Sequence, residues 1–266
     1  MVQSLHPVGA PSLRELLNPV LGMAEECDDI IGTMAGTFVS GTIRYGLPRF
    51  VFVGPPAEHE PIRLGLFAGV HGDEPAGCAA LVNFILELAT DPERARGYQL
   101  VVFPVCNPTG YEDGTRHNRA GLDLNREFWR DSAQPEVRLL EAELATHCFD
   151  GIITLHADDT SEGHYGYTHG RELNAALLEP ALRAAERVLP RDQRPTIDGF
   201  AAQGGLICEC FGGVLSAPPG QRPQPFDLIF ETPARAPFAL QVDASVAALD
   251  AILGAYRGFI AYAQNL

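Results

Sequence analysis

Short apolar runs alternate along the chain with patterns typical of amphipathic helices. The runs Leu64–Val70 and Leu100–Phe103 are almost continuously apolar, as expected for strands that are covered on both faces of a sheet. Six segments are predicted to be strands: Thr37–Ile43, Arg49–Val53, Ile62–Val70, Tyr98–Val105, Gly151–Leu155 and Asp227–Phe230. A chain in which such strands alternate with helices buries its apolar residues in a layered α/β fold.

Three segments between and after these strands have helical periodicity. Ala76–Leu88 is apolar at helix-compatible spacings, Pro135–Cys148 begins with proline, and apolar residues between Val242 and Ile260 recur at steps of three and four. We therefore predict an α/β fold in which residues 1–266 form a single domain, with a mixed central sheet and helices on both faces. Ser216–Pro225 is rich in proline and is predicted to be a surface loop.

The net charge restricts the partners of such a chain. Nineteen basic residues against 34 acidic ones give a net charge of −15, which is the wrong sign for binding the phosphate backbone of nucleic acid. The apolar runs are much shorter than the roughly 20 residues that span a bilayer, and the first residues do not form an export signal. We expect a cytoplasmic protein with a small substrate and without a membrane or nucleic-acid partner, and the oligomeric state stays open.

Histidine and glutamate side chains follow two of the predicted strands. His71 and Glu74 come directly after Ile62–Val70 and lie three residues apart, so one tight turn aims an imidazole and a carboxylate at the same point. His156 follows Gly151–Leu155. Since functional groups collect at the carboxyl ends of strands in an open α/β sheet, these three residues are candidate ligands of one metal ion. Two histidines and one glutamate form the ligand set of a hydrolytic zinc site.

Further motifs accompany these candidate ligands in a fixed order. Asn107-Pro-Thr-Gly110 follows a predicted strand, the segment from Arg116 to Arg126 contains R-x-N-x-x-G-x-D-L-N-R, and the last apolar strand leads to Glu231. With these motifs in this order over about residues 60–260, the chain resembles the zinc carboxypeptidase family and its relatives succinylglutamate desuccinylase and aspartoacylase. The resemblance implies a zinc carboxypeptidase-like fold.

The resemblance also implies a role for each matching residue. His71, Glu74 and His156 match the zinc ligands of the family, which hold one Zn²⁺ per chain. Glu231 matches the general base, which activates the attacking water and then passes the proton to the leaving amine. A structural role for Glu231 would instead require a basic partner, because an unpaired carboxylate is costly to bury.

Arginines are expected to bind the substrate. Asn125 and Arg126 match the pair that holds a substrate carboxylate, for which a guanidinium group is well suited. The family also places an arginine beside the zinc, where it stabilises the oxyanion. Arg116 is our preferred candidate for that position, and Arg119 is the alternative and a further candidate for substrate binding. Arg126 could instead form an exposed ion pair with Asp123. Asp123 itself is expected either to orient a ligating histidine or to form a turn.

Two departures from the family concern the substrate. No tyrosine lies between Tyr167 and Tyr256, so the mobile capping tyrosine of digestive carboxypeptidases has no clear equivalent. The stretch from Asp158 to His169 is instead rich in polar groups, and its acidic residues are either a subsite for a cationic group or part of a solvated loop. Only 35 residues follow Glu231, so we expect no C-terminal β domain of the desuccinylase and aspartoacylase type.

The motifs favour a zinc-dependent hydrolase that cleaves a peptide or isopeptide bond next to a free carboxylate. Deacylation of an N-acyl amino acid is the alternative within enzymes, because the same side chains would hydrolyse either amide. A non-catalytic metal-binding or ligand-binding protein on the same fold is a second alternative. Zinc is an inference from the ligand types, since other divalent metals also occupy such sites.

Overall fold

A mixed sheet forms the centre of the protein. The computed structural model describes residues 10–168 and 173–263, and within them the sheet has ten strands. The strands are β1 Ile30–Ser40, β2 Ile43–Val53, β3 Ile62–Ala68, β4 Tyr98–Phe103, β5 Gly151–Asp158, β6 Tyr165–Thr168, β7 Thr196–Ile197, β8 Phe200–Gln203, β9 Leu206–Ile207 and β10 Phe226–Pro233. Their order across the sheet is β1-β2-β4-β3-β5-β10-β6-β9-β8-β7.

The central strands of this sheet are parallel. β3 pairs in parallel with β4 and with β5, and β10 pairs in parallel with β5. β2 joins β4 and β6 joins β10 in antiparallel pairs, so the sheet is mixed, as predicted. Five of the six predicted strands are confirmed. Four of them differ from the observed strands by one to three residues at an end, whereas the predicted Arg49–Val53 is only the second half of β2.

The sixth predicted strand, Thr37–Ile43, is wrong because it crosses a hairpin turn. β1 ends at Ser40, Gly41 has a φ of 62°, and Ile43 pairs back with Ser40 at the start of β2. A glycine adopts this left-handed conformation without strain, and tight hairpin turns require it. The β-branched residues on both sides of Gly41 give the sequence the appearance of one continuous strand.

Helices cover both faces of the sheet, as predicted. They are α1 Leu13–Glu26, α2 Pro75–Thr90, α3 Pro108–Asp113, α4 Pro135–His147, α5 Glu179–Ala185 and α6 Phe238–Ala263, with short helical turns at Pro92–Ala95, Leu124–Arg126 and Asn174–Leu178. Apolar residues of α1, α2, α5 and α6 form one core with one face of the sheet. Apolar residues of α4 form a second core on the opposite face. The three predicted helices correspond to α2, α4 and α6.

Helix α6 is long and apolar. By length and composition alone, its stretch Phe238–Tyr262 could cross a membrane, but half of the residues in its most apolar window are buried inside the protein. Leu249, Ile252 and Leu253 of this helix lie in the core with the residues of α2. The apolar character of α6 is therefore used for packing against the sheet layer.

The carboxyl ends of β3, β5 and β10 lie side by side at one edge of the sheet. The register places Glu231 of β10 opposite His156 of β5. The turn after β3 packs closely on α3, because a Cβ atom at Gly72 would overlap the backbone of Gly110 and Tyr111. Asn107 caps this helix through its Oδ1 atom, which accepts the Gly110 N–H at 2.9 Å. The contact at Gly72 therefore fixes the turn that carries the candidate metal ligands.

We predict that Gly72→Ala destabilises the protein by about 1–3 kcal/mol, because the added methyl group would displace backbone atoms in a packed site. Urea unfolding followed by circular dichroism measures this change. Gly22→Ala is the matched control: Gly22 lies in α1, where an added methyl group would meet no atom of another segment within 4 Å, and this variant should gain up to about 1 kcal/mol of helix propensity. Equal unfolding midpoints for the two variants would contradict the tight contact.

Candidate metal centre and active-site cleft

Three buried side chains converge at the carboxyl edge of the sheet. His71 and Glu74 lie in the turn after β3, and His156 lies in β5. One ligand atom from each of them lies within 4.8 Å of the other two. Glu74 is central to the group, because its Oε1 is 2.6 Å from His71 Nδ1 and its Oε2 is 2.9 Å from His156 Nδ1.

The chemistry of these atoms fits a metal ion. His71 Nε2 lies 3.2 Å from Asp123 Oδ1, and a carboxylate at that position favours a proton on Nε2. The Nδ1 lone pair of His71 then faces the Glu74 carboxylate, and His156 Nδ1 lies 3.3 Å from the same nitrogen. Lone pairs that converge in this way repel one another unless a proton or a metal cation lies between them. The site therefore suits a divalent cation held by His71, Glu74 and His156.

The pKa values of these residues also show that the site stabilises positive charge. Burial lowers the pKa of His71, but the Glu74 and Asp123 carboxylates outweigh burial and raise this pKa to about 9. Burial raises the pKa of Glu74, but the two histidines outweigh burial and hold this pKa far below its usual value. A proton is thus stabilised between the side chains, and a metal ion can take its place.

Arg116 lies beside the metal group. Its Nη1 is 3.3 Å from His71 Nδ1 and 3.7 Å from Glu74 Oε1, and its Nη2 is 3.0 Å from Asp123 Oδ2. Asp123 therefore contacts both a histidine ligand and the arginine, which agrees with the orienting role expected for it. This position favours Arg116 for contact with a developing oxyanion, a role that stays a prediction.

Arg119, the alternative candidate, has other partners. Its guanidinium donates from Nε to Asp113 Oδ2 at 2.8 Å, and its charge lies over the Tyr45 ring at 5.3 Å from the centroid. It is not among the described residues that line the cleft. Arg116 and Arg119 are close in sequence, but their guanidinium groups contact different partners, and substrate binding by Arg119 stays a prediction.

Asn125 and Arg126 lie on the wall of the cleft. Asn125 Oδ1 accepts the Leu215 N–H at 2.8 Å, which leaves its amide N–H groups for other partners. The Arg126 guanidinium lies 4.8 Å from the centroid of the Phe211 ring and donates to the Asn125 carbonyl at 2.7 Å. The Asp123 carboxylate contacts His71 and Arg116. Among the described residues it does not form the ion pair with Arg126 that was the alternative role of this arginine.

Glu231 faces the same cleft from β10. Burial raises its pKa well above the usual value, the Glu74 and Asp158 carboxylates add to this rise, and Arg116 opposes it. A carboxyl group with a raised pKa holds a proton more readily, which suits a group that accepts a proton and then releases it. Glu231 therefore has the position and the environment of a general acid and base.

The cleft has a volume of about 480 Å³, and acidic and tyrosine side chains form its far wall. Tyr165 donates to Asp158 Oδ2 at 3.1 Å, and Tyr167 donates to Asp198 Oδ2 at 2.7 Å. Asp159 also lines the cleft, whereas Glu162 does not, and His169 lies outside the described residues. The hydrogen bonds of Tyr165 and Tyr167 hold their rings in the wall of the cleft.

Sequence reasoning missed two parts of this wall. Asp198 has a φ of 50° and is followed by Gly199, so the sequence carries a turn signal there, but nothing in it indicates proximity to the metal group. Phe211 and Val214 come from the loop after β9 and also line the cleft. Loops of this kind reach the site through tertiary packing, which leaves no periodic pattern in the sequence.

The fold is similar to that of the zinc carboxypeptidases, and it carries a buried group that could hold a metal ion. A candidate metallopeptidase from Shewanella baltica OS155 is 25% identical, with a TM-score of 0.75 over 91% of this chain and 92% of that one. Metallo-carboxypeptidases from Burkholderia cenocepacia and Pseudomonas aeruginosa are each 18% identical, with TM-scores of 0.69 and 0.63 over 91% of this chain and 68% of theirs.

A family model gives a more particular assignment. The succinylglutamate desuccinylase/aspartoacylase catalytic domain matches residues 61–191, which include all three candidate metal ligands. These findings confirm the resemblance: residues 61–191 match the model of that catalytic-domain family, in a chain whose fold is similar to that of the zinc carboxypeptidases. No curated protein sequence matches the chain.

We predict that Zn²⁺ stabilises the metal-stripped protein and that His156→Ala removes this effect. A ligand at 100 times its Kd adds about 2.7 kcal/mol to the stability of a folded protein, and the variant lacks one of three ligands. Thermal unfolding with and without zinc measures the difference. His117→Ala is the control, because His117 is exposed and is not among the residues that line the cleft. Equal stabilisation of the wild type and His156→Ala would show that zinc binds elsewhere.

Proposed function

We propose that the protein is a zinc-dependent hydrolase that cleaves an amide bond next to a free carboxylate. The observation that carries this proposal is the placement of Glu231 and Arg116 in one cleft with the His71, Glu74 and His156 group. A carboxyl group and a guanidinium so placed provide a proton acceptor and an oxyanion partner for one reaction centre.

Each residue has a separate task in this proposal. His71, Glu74 and His156 would hold the zinc ion, which would supply Lewis acidity that lowers the pKa of a water molecule and polarises a carbonyl group. Glu231 accepts a proton from the attacking water and donates it to the leaving amine. Arg116 stabilises the negative charge that develops on the carbonyl oxygen.

Arg126 and Asn125 bind the free carboxylate of the substrate. A guanidinium can donate two parallel hydrogen bonds to a carboxylate, and the Asn125 amide can donate another. The Phe211 ring supports the Arg126 guanidinium from one side. The metallo-carboxypeptidase from Pseudomonas aeruginosa, which has a similar fold, binds (2-guanidinoethylmercapto)succinic acid. A dicarboxylate ligand in that protein supports a carboxylate-bearing substrate here.

The leading substrate is a peptide or isopeptide, and an N-acyl amino acid is the second candidate. The second candidate is favoured by the family model, which is named for a desuccinylase and an acylase. Both substrates contain an amide whose amine side carries a carboxylate, so the same residues would act on either. Parallel assays with N-acetylated dipeptides and with N-succinyl and N-acetyl amino acids distinguish the two.

We predict that Glu231→Gln lowers kcat by about 10²–10⁴-fold while the protein still binds one zinc ion. Removal of a general base has an effect of this size, and the amide keeps the shape of the side chain. Steady-state kinetics and elemental analysis measure the two quantities. Glu162→Gln is the matched control, since Glu162 is exposed and does not line the cleft. Full activity in Glu231→Gln would refute its role.

We predict that Arg126→Gln lowers kcat/KM about 10- to 100-fold for a substrate with a free carboxylate, mainly through a higher KM. A hydrogen bond between charged groups contributes on this scale. The same substrate with its carboxylate converted to an amide is the control, and its slower hydrolysis should hardly change in the variant. A similar loss on both substrates would mean that Arg126 does not bind the carboxylate.

A further inference from the structure

Strand β1 forms one edge of the sheet. It stands first in the strand order, and among the described strands only β2 pairs with it. β1 is 11 residues long and contains neither a charged residue nor a proline. The opposite edge is formed by β7, which has only 2 residues. Proteins usually protect a long edge strand with charges or proline, because its free backbone groups pair with other strands. The outer side of β1 is therefore open to a further strand.

Apolar side chains are exposed along β1. Met34 is 52% exposed, Val39 is 60% exposed, and Ile31 is exposed to a similar degree. The chain as a whole has a net charge of −15, so two copies repel each other over much of their surface. The uncharged apolar strip along β1 is free of this repulsion, and apolar strips of this kind favour association with another protein surface.

The pairing with β2 shows which backbone groups of β1 point outward. The Asp29 carbonyl accepts the Val53 N–H just before β1, and Ser40 pairs with Ile43 across the tight turn at the other end. Between these ends the backbone groups alternate between the two sides of the strand, and a bulge in the middle of β1 shifts the register. The outward residues are Ile30, Gly32 and Met34 before the bulge and Thr37 and Val39 after it.

This pattern is self-complementary in an antiparallel pair of two β1 strands. When Ile30 lies opposite Val39 of a second copy, Gly32 lies opposite Thr37 of that copy. A twofold axis repeats both contacts in the other half of the pair. The bulge then lies at the axis, and the outward backbone groups on either side of it match those of the second copy.

The charges at the two ends of β1 also complement one another in this pair. Asp28 and Asp29 are exposed directly before the strand, and Arg44 is exposed on β2 opposite Val39, near the hairpin turn. Among the described residues the Arg44 guanidinium contacts only the Thr37 hydroxyl, at 3.5 Å. Antiparallel pairing places the start of each β1 beside the hairpin end of the other, so Arg44 of each copy lies near the two aspartates of its partner. This match favours a second copy over an unrelated strand.

We propose that a second copy of the chain pairs with β1, so that the two sheets join into one continuous sheet across a twofold axis. Each outward residue provides one N–H and one carbonyl group, and the contacts of both halves approach the roughly ten hydrogen bonds of a typical interface. β2, β4 and β3 separate β1 from β5, so the pairing does not involve the strands that carry the candidate metal ligand and Glu231.

Sedimentation equilibrium of the full chain measures the dissociation constant of the dimer. We expect the wild type to dimerise, and we expect Met34→Lys and Thr37→Pro each to raise this constant at least about 10-fold, as for the loss of one or two contacts. The lysine adds charge to the apolar strip, and the proline removes an outward N–H in a manner that an edge strand tolerates.

Tyr262→Lys is the matched control, because Tyr262 is an exposed aromatic residue of α6 and lies outside β1. Its dissociation constant should equal that of the wild type, and circular dichroism should show that all three variants are folded. A wild type that is monomeric, or a dimer that neither β1 variant weakens, would overturn the proposal.

A mixing experiment tests the antiparallel arrangement. Arg44→Glu places like charges at both ends of its homodimer, and so does the double variant Asp28→Arg with Asp29→Arg. Each should dimerise about 10-fold more weakly than the wild type, whereas an equal mixture of the two should form heterodimers, because opposite charges then meet at both ends. Sedimentation with one variant fluorescently labelled detects the heterodimer. A mixture that associates as weakly as the separate variants would contradict the proposed pairing.

Discussion

The Glu74 carboxylate is the group on which the arrangement of the site depends. It contacts His71 and His156 at 2.6 and 2.9 Å and accepts the backbone N–H of Ala157 at 3.1 Å. Glu74 thereby joins the turn after β3 to the end of β5, and these strands are parallel neighbours in the sheet. The register with β10 then places Glu231 opposite His156. The parallel sheet thus brings together residues that are far apart in sequence.

The distribution of charge in the cleft follows from this framework. The chain carries a net charge of −15, yet Arg116 and Arg126 both line the cleft, together with the carboxylates of Glu231 and Asp158. The arginines would attract the carboxylate of the proposed substrate. One cleft therefore contains both basic and acidic groups.

The position of site residues that follow a strand could be predicted from the sequence. The end of an apolar run marks the end of the strand, and the next side chains then lie at the edge of the sheet. His71, Glu74 and His156 are of this kind, and the structure brings them together. Residues in irregular loops could not be placed, since no periodicity relates one position to the next. Arg116 and Arg119 are the clearest example, and the hairpin within Thr37–Ile43 shows that a single glycine can be overlooked in the same way.

The contribution of the loop after β9 to the cleft could not be predicted at all, because Phe211 and Val214 reach the cleft only in the folded protein. The proposed chemistry depends on a metal ion at His71, Glu74 and His156. Anomalous diffraction at the zinc absorption edge from crystals of the protein tests it most directly. We expect one strong peak about 2.0–2.2 Å from Nδ1 of His71, Nδ1 of His156 and a carboxylate oxygen of Glu74. A peak at other residues, with none among these three, would contradict this metal centre.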